Sequence, residues 1–335
     1  MTGADLPVVV NRAGGTAAAA GADLGERLTA AFAAADTGIA LQLLDGPELA
    51  DAVRGASGAR VIVGGGDGTA AAAAAVLADG AVELGLLPLG TLNHLARDLG
   101  IPRDLDEAAL LAAHGDARAI DLGEVNGHVF VNNASIGLYP AMVRRRDAYR
   151  ESRGLPKWVA SFPAAWQAWT HFRRRRLTLD TGGGPRPLAT SLLFVGNNRY
   201  SLERGEIGCR DVLDGGRLSI FALAAPGRFA LLWFALRAVT GRADRNADFL
   251  AFGDGETLTV ESPGTADVEV ALDGEVMTLA FPLRFRIRPG ALRIVAPPSA
   301  KGPAERPGDA ESAGAHQRAS QAGAGQAVHA ARPAR

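Results

Sequence analysis

Only one cysteine, Cys209, occurs in 335 residues. One thiol cannot build a disulfide framework or a cysteine metal cluster, and so little cysteine suits a reducing cytoplasm. Net charge is close to zero, −1 at pH 7, so no overall field draws the chain to nucleic acid and any basic character has to be local. Long apolar runs are missing too: "FALLWFALRAV" from Phe229 is the longest, contains Arg237 and is too short to span a bilayer. The first strand-like run, "LPVVVN", begins at Leu6 with neither a basic n-region nor an apolar h-region before it, so no signal peptide is expected. Two familiar phosphate loops are absent as well. No Gly-x-x-x-x-Gly-Lys-Ser/Thr occurs, and Gly-x-Gly-x-x-Gly fails because Thr69 or Ala71 stands where its third glycine belongs. The remainder is ordinary globular composition, 47% hydrophobic and 21% charged, in a chain long enough for two domains with cores.

Residues 6 to about 120 alternate short apolar runs ("PVVV", "IALQLL", "VIV", "LGLLPLG") with helical patterns such as Leu24, Leu28, Ala31, Phe32 and Ala35. That alternation predicts a mainly parallel sheet covered on both faces. After Asp121 the texture changes. "GEVNGHVFVNN" predicts two strands about an Asn-Gly turn. A basic helical stretch (143–176) and many short strands follow, from "LTLDT" to "LRFRIRP", predicting an antiparallel sandwich or barrel. The expected organisation is an α/β N-terminal nucleotide-binding domain (1–120), a β-rich C-terminal domain (121–296), and a tail (297–335). The tail has no aromatic residue and one aliphatic beyond alanine, Val328, and is expected to be disordered.

The most informative stretch is "VIVGGGDGTAAAAAAVLADG", Val61–Gly80. An apolar strand passes through three glycines and an aspartate into an alanine-rich helix starting near Thr69. Glycines let the backbone turn sharply and let a ligand approach the amides, and a helix N-terminus is a ready anion site. Tight helix-on-strand packing also selects glycine, so the run by itself is ambiguous. A second junction of this kind, "LGLLPLGTLNHLARDLGIP" (Leu84–Pro102), places Thr91 and Asn93 at a helix start, and "NRAGG" (Asn11–Gly15) ends the first strand. In a parallel sheet the carboxyl ends of the strands share one edge, so these turns face one crevice.

With "GGDGT" (Gly65–Thr69), "PLGTLNHLARDLGIP" (Pro88–Pro102), "FVNNASIG" (Phe130–Gly137), "DVLDGGRLSIF" (Asp211–Phe221) and "LDGE" (Leu272–Glu275), the chain resembles the diacylglycerol kinase catalytic domain family, from residue 6 to about 296. The family includes bacterial lipid kinases and sphingosine kinases. The first of these motifs is shared with NAD kinases and phosphofructokinases; the second, together with the late Asp-Gly-Glu, is more specific. The resemblance implies an ATP site lined by Asn11, Gly15, Gly65, Gly66, Asp67, Gly68, Thr69, Thr91 and Asn93, with Asp67 helping to hold nucleotide-bound Mg²⁺. It implies Glu275 as general base toward a lipid hydroxyl, with Asp273 as its acidic neighbour. It also implies a structural Mg²⁺ site made by Asp214 with the carbonyls of Asp211 and Gly216, and a return of the last strands, 283–296, to the first domain. Each residue has a plainer reading: a turn or N-cap aspartate for Asp67, a solvent-facing hairpin residue for Glu275, a β-turn aspartate for Asp214. Three departures stand out. Arg12 and Gly14 replace the family's usual proline and serine, "LQLLDG" lacks its threonine, and His94 follows Asn93 where an acid is common.

Between Arg144 and Arg176 lie ten Lys/Arg against Asp147 and Glu151, with Trp158, Trp166, Trp169, Phe162 and Phe172 among them. Phe162, Trp166 and Trp169 share one helical face. Basic residues flanking an aromatic face describe a helix lying on an anionic membrane; a core helix with a solvated basic end reads the same. No nucleic-acid motif accompanies the charges. The expected protein is a cytoplasmic, peripherally membrane-associated ATP-dependent lipid kinase, with diacylglycerol the expected acceptor. A homodimer is compatible with this reading. The rivals are a soluble-substrate kinase of the NAD kinase or phosphofructokinase kind and a catalytically idle lipid-binding regulator.

Overall fold

The computed structural model describes residues 5–13, 23–138, 140, 174–200, 210, 212–223 and 249–298. Gly15, Asp211, the stretch 144–173 and the tail from Ser299 onward lie outside the described residues. Strand β1 (Leu6–Asn11) pairs in parallel with β2 (Ile39–Leu44) and β3 (Arg60–Gly65), and β3 pairs in parallel with β4 (Glu83–Pro88). Helices α1 (Leu24–Ala34) and α5 (Leu105–His114) cover one face; α2 (Gly46–Gly55) and α3 (Asp67–Leu77) cover the other, with the short α4 (His94–Leu99) beside α3. In α1 the helical spacing buries Leu24, Leu28, Ala31 and Phe32 against Val8, Val10 and Ile62. In α3 the buried residues Ala70, Ala73 and Ala74 are small, which seats the helix close on the strands. Asp104 caps α5 by accepting from the Asp106 and Glu107 amides at 3.0 and 3.1 Å.

The Asn-Gly signal is realised: β5 (Ala117–Val125) turns into β6 (His128–Phe130) through Asn126 and Gly127, with φ of 48° and 86°. The boundary expected at 120/121 falls inside β5, which runs on without interruption. Beyond it, β12 (Phe249–Gly255), β11 (Leu218–Leu223), β10 (Leu192–Asn197), β7 (Asn133–Gly137), β14 (Asp267–Leu272) and β15 (Glu275–Ala280) form a six-stranded antiparallel sheet in that order. It packs against β16 (Leu283–Val295), β13 (Thr257–Glu261), β8 (Arg175–Asp180) and β9 (Arg186–Thr190) of the ten-stranded sheet, across a core that includes Leu193, Ile220, Val270, Leu258 and Phe285. The fold is thus an α/β nucleotide-type half and a β-rich half with antiparallel pairing.

Two elements depart from expectation. The helical pattern read through 176 gives way to strand at Arg175, because Arg175–Leu179 pairs residue for residue with β9. The last strands expected over 283–296 are a single one, β16: a register shift between Arg288 and Leu292, with Gly290 at φ 62°, carries it through to Val295. Its first residues pair with β13 and its last, at Ile294, run parallel to β4, while β5 lies along its other edge. Buried Asp121 holds the bulge by accepting from the Gly290 amide at 2.9 Å and from the Gly216 amide at 2.7 Å.

Candidate active site

The strand order β2-β1-β3-β4 reverses between β1 and β3, and a cleft of about 750 Å³ opens at the carboxyl ends of these two strands. One wall comes from Asn11, Gly66, Asp67, Gly68 and Thr69; another from Gly90, Thr91, Leu92 and His94; the hairpin turn Asp273–Glu275, with Asn132 and Asn133, forms the third. The glycine loop explains why α3 presents an anion site. Gly66 stands at its N-cap in extended conformation, no side chain caps the helix, and the residues of its first turn line the crevice. Gly66 and Gly90 approach so closely that a β-carbon on Gly90 would lie 2.4 Å from the Gly66 Cα. Side chains are excluded there, which leaves a smooth floor of backbone.

Among the residues expected at the nucleotide, Asn11 and Thr69 meet: the Asn11 amide Nδ2 donates to Thr69 Oγ1 at 3.1 Å, and Asn11 Oδ1 accepts from the Ala13 amide at 3.0 Å. Thr91 lines the cleft. Asn93 and Gly65 lie behind it, lining a small pocket with Pro88 and Leu95. The Asn93 side chain is spent within its own loop, accepting from the Gly90 amide (3.0 Å) and donating to the carbonyls of Pro88 (3.1 Å) and Gly90 (2.8 Å). It therefore shapes the Gly90 turn. Arg12, the departure in the first loop, donates through Nε and Nη2 to both carboxylate oxygens of Asp45 at 3.0 Å. The hydrogen bond from Arg12 holds the exposed Asp45 carboxyl below its ordinary range. Two of the three departures from the family pattern are thus joined, since Arg12 pairs with the aspartate of "LQLLDG".

Asp67 lies at the start of α3, one oxygen 3.4 Å from the Leu95 amide. The late hairpin brings Glu275 to the next residue, Gly68: a β-carbon built there would lie 3.3 Å from Glu275 Oε1. Asp273 serves a different purpose from its neighbour. In left-handed conformation (φ 48°), it accepts from the amides of Val131 (2.7 Å), Asn132 (2.7 Å) and Asn133 (3.0 Å), and its own amide donates to the Asn133 carbonyl at 2.9 Å. Burial pushes its carboxyl above the ordinary aspartate value, while the three amides and Arg210 pull it down. With both oxygens engaged, Asp273 positions the turn that carries Glu275.

Asp214 and Gly216 are outside this cleft, in a loop pinned to Asp121 through the Gly216 amide. Among the described residues no cluster of three or more His, Cys, Asp or Glu side chains could hold a metal. A site of one carboxylate and carbonyls is a different type, and one observation fits a hard cation there. The fully buried Asn198 has an Oδ1 with no hydrogen-bond donor, and that atom lies 3.1 Å from a β-carbon built on Gly215.

Sequence reasoning left Asp98, Asp121, Asn197 and Arg210 without roles. Most of their partners lie 66 to 169 positions away, at separations no periodicity marks.

Glycine amides and a helix N-terminus on one wall, faced by a carboxylate on another, are the equipment of a phosphotransferase. A profile of the diacylglycerol kinase catalytic domain matches residues 5–125. The chain is 32% identical over 261 residues to the probable lipid kinase YegS-like of Pseudomonas fluorescens, covering 76% of this chain and 82% of that protein. It is 32% identical over 248 residues to the probable lipid kinase YegS-like of Pseudomonas aeruginosa, covering 71% and 77%. A crystal structure of a diacylglycerol kinase from Bacillus anthracis superposes with a TM-score of 0.62 over 89% of this chain and 98% of that one, at 20% identity, a likeness of fold. The chain belongs to the YegS-like lipid kinases of the diacylglycerol kinase catalytic domain family. Kinase membership carries with it a nucleotide substrate and, ordinarily, a divalent metal.

Proposed function

We propose that this kinase transfers the γ-phosphoryl group of ATP to the hydroxyl of a membrane lipid, diacylglycerol being the expected acceptor. The observation that carries the reading is the approach of Glu275 to Gly68, which sets a carboxylate beside the anion-binding start of α3. The α3 amides and the Asn11–Thr69 pair would receive the nucleotide phosphates, and Asp67 would hold the accompanying Mg²⁺. That ion, when bound, neutralises charge on the phosphates. Glu275, exposed at the cleft, takes the proton of the attacking hydroxyl. Asp273 keeps the hairpin turn in place through its three amide contacts. The loop of Asp214 and Gly216, with Asn198 Oδ1, is suited to a second, structural cation away from the chemistry.

Docking to the acceptor's membrane is part of the proposal. Among the described residues no helix is long and apolar enough to cross a bilayer, while ten Lys/Arg gather between Arg144 and Arg176. Of these, Arg174, Arg175 and Arg176 are exposed. Each cation near an anionic surface contributes about 1 kcal/mol, screened by salt.

The test is transfer from labelled ATP to a panel of extracted lipids, with NAD as the soluble control. Asp67→Ala should abolish most transfer, and Glu275→Gln should lower kcat by about 10²–10⁴ with nucleotide binding retained. Labelling of NAD alone would assign the chain to soluble substrates. Unchanged turnover in both variants would remove the cleft from the chemistry.

A further inference from the structure

The 131–133 turn that Asp273 grips from the cleft is gripped from behind by a buried arginine. The Arg210 side chain is 0% exposed and its partner Asp98, on α4, is 2% exposed. Nε of Arg210 donates to Asp98 Oδ2 at 2.9 Å, Nη1 to the carbonyls of Val131 (2.7 Å) and Asn197 (3.3 Å), and Nη2 to Asn132 Oδ1 at 2.6 Å. The guanidinium lies 5.5 Å from the centre of the Tyr200 ring, whose hydroxyl donates to the Asn132 carbonyl at 2.8 Å. Burial pushes that phenol up to about 12, so it remains a donor. Asn197 Nδ2 donates to the Val131 and Asp121 carbonyls, each at 2.8 Å.

A buried ion pair is a poor way to stabilise a core, since apolar side chains of similar volume often do as well or better. What arginine adds is a rigid planar fork with five donors in fixed directions. Here the fork spans two walls of the cleft. Asp98 belongs to the helix that follows Thr91 and Leu92 and begins at His94; Val131 and Asn132 belong to the turn on which Asp273, and two residues later Glu275, depend.

We infer that Arg210, fixed by Asp98, is a positioning residue for phosphoryl transfer: a buried strut that sets the Thr91–His94 wall relative to the Asp273–Glu275 turn. The inference rests on the kinase reading, and its test has one arm that does not. Asp98→Leu/Arg210→Met removes both charges together and leaves neither unpaired in the interior. Hydrogen exchange should quicken at least about tenfold at the amides of 131–133 and 273–275 while protection in β1–β4 stays as in wild type. In the lipid assay kcat should fall about 10–100-fold, the cost of a misplaced group, with KM for ATP within about twofold. Asn132→Ala should lower kcat similarly, and combining it with the double variant should add little, because both cut the same link. Wild-type exchange at the turn, additive losses, or exchange raised evenly over the whole chain would each overturn the strut. Should the double variant not fold, Arg210→Lys keeps the charge beside Asp98 but loses the fork, and the same exchange and kinetic outcomes decide. A wild-type protein that labels no lipid would overturn the kinase reading, and the exchange arm would still decide whether Arg210 holds the turn.

Discussion

Under the proposed function, the missing methyl of Gly68 serves the chemistry at the expense of the fold. In α3, alanine would ordinarily be favoured over glycine by roughly 0.5–1 kcal/mol. The added β-carbon would lie 3.3 Å from Glu275 Oε1, the free end of a side chain able to move by a few tenths of an ångström. Gly68→Ala should therefore leave thermal stability unchanged or slightly raised while kcat falls about 3–30-fold, because the displaced group is the proposed base; unaltered kcat would place Glu275 outside the reaction. Gly90→Ala is the contrasting case, with its new carbon 2.4 Å from backbone at Gly66. Nothing flexible can retreat, and a loss of about 1–3 kcal/mol should appear in denaturant unfolding. At this scale the sequence was legible where a residue's task is local. The glycines, Asp67, Thr69 and Asn11 sit at strand ends that announce a loop. The task of Asp273 was not legible, since its three amide donors lie about 140 positions earlier. Asp98 and Arg210 were less so. Charged residues of this kind read as solvated, and only the folded chain shows both of them buried.

Elements followed their local signals closely. Asn126-Gly127 made its hairpin, Asp104 capped its helix, and α3 began at Asp67, two residues before the alanine pattern suggested. Where several last strands were expected over 283–296, pairing makes one: β5 and Asp121 carry β16 through its bulge. One ion-pair network joins elements on the edge of the sheet away from the cleft. Glu83, at the start of β4, accepts from Arg293 on β16 at 2.9 Å and from Arg60 on β3 at 2.8 and 3.1 Å. Arg60 also donates to the carbonyls of Ala112, Ala113 and Gly115 at the end of α5. The hydrogen bonds from Arg293 and then Arg60 hold the Glu83 carboxyl below the ordinary glutamate value. A depressed folded value means stability that is present above the unfolded value and lost as pH falls through the folded one. Glu83→Gln should thus cost about 1.5–3 kcal/mol at pH 7, less for the share of half-exposed Arg293. The gap from wild type should close on acidification through and below the ordinary glutamate range. A gap independent of pH would show that the carboxylate charge contributes nothing.

Across the whole molecule, β16 carries a consequence that neither half reveals alone. The residues matching the catalytic-domain profile end at 125, yet the core beneath α3 and α4 includes Ala291, Leu292, Ile294 and Ala296 from the far end of the chain. Leu292, Ile294 and Val295 are 0–1% exposed, and Ile294 covers the edge of β4 opposite Leu84. Burial of three such side chains contributes about 5–9 kcal/mol, which is comparable to the net stability of a typical domain, about 5–15 kcal/mol. A fragment of residues 1–125 would lose that burial, the pairing along β5, and the cover on β4. It should show no cooperative thermal transition, whereas the full chain should unfold its two halves together in a single one, because β16 pairs with strands of both. Adding a peptide of residues 283–298 to the fragment should restore part of the transition, because the missing strand supplies its own side chains to the apolar site. If the fragment alone melted cooperatively near the temperature of the full chain, the α/β half would be a self-sufficient domain. The bridging strand would then be a tether between two domains, and the cleft geometry would owe nothing to their shared sheet.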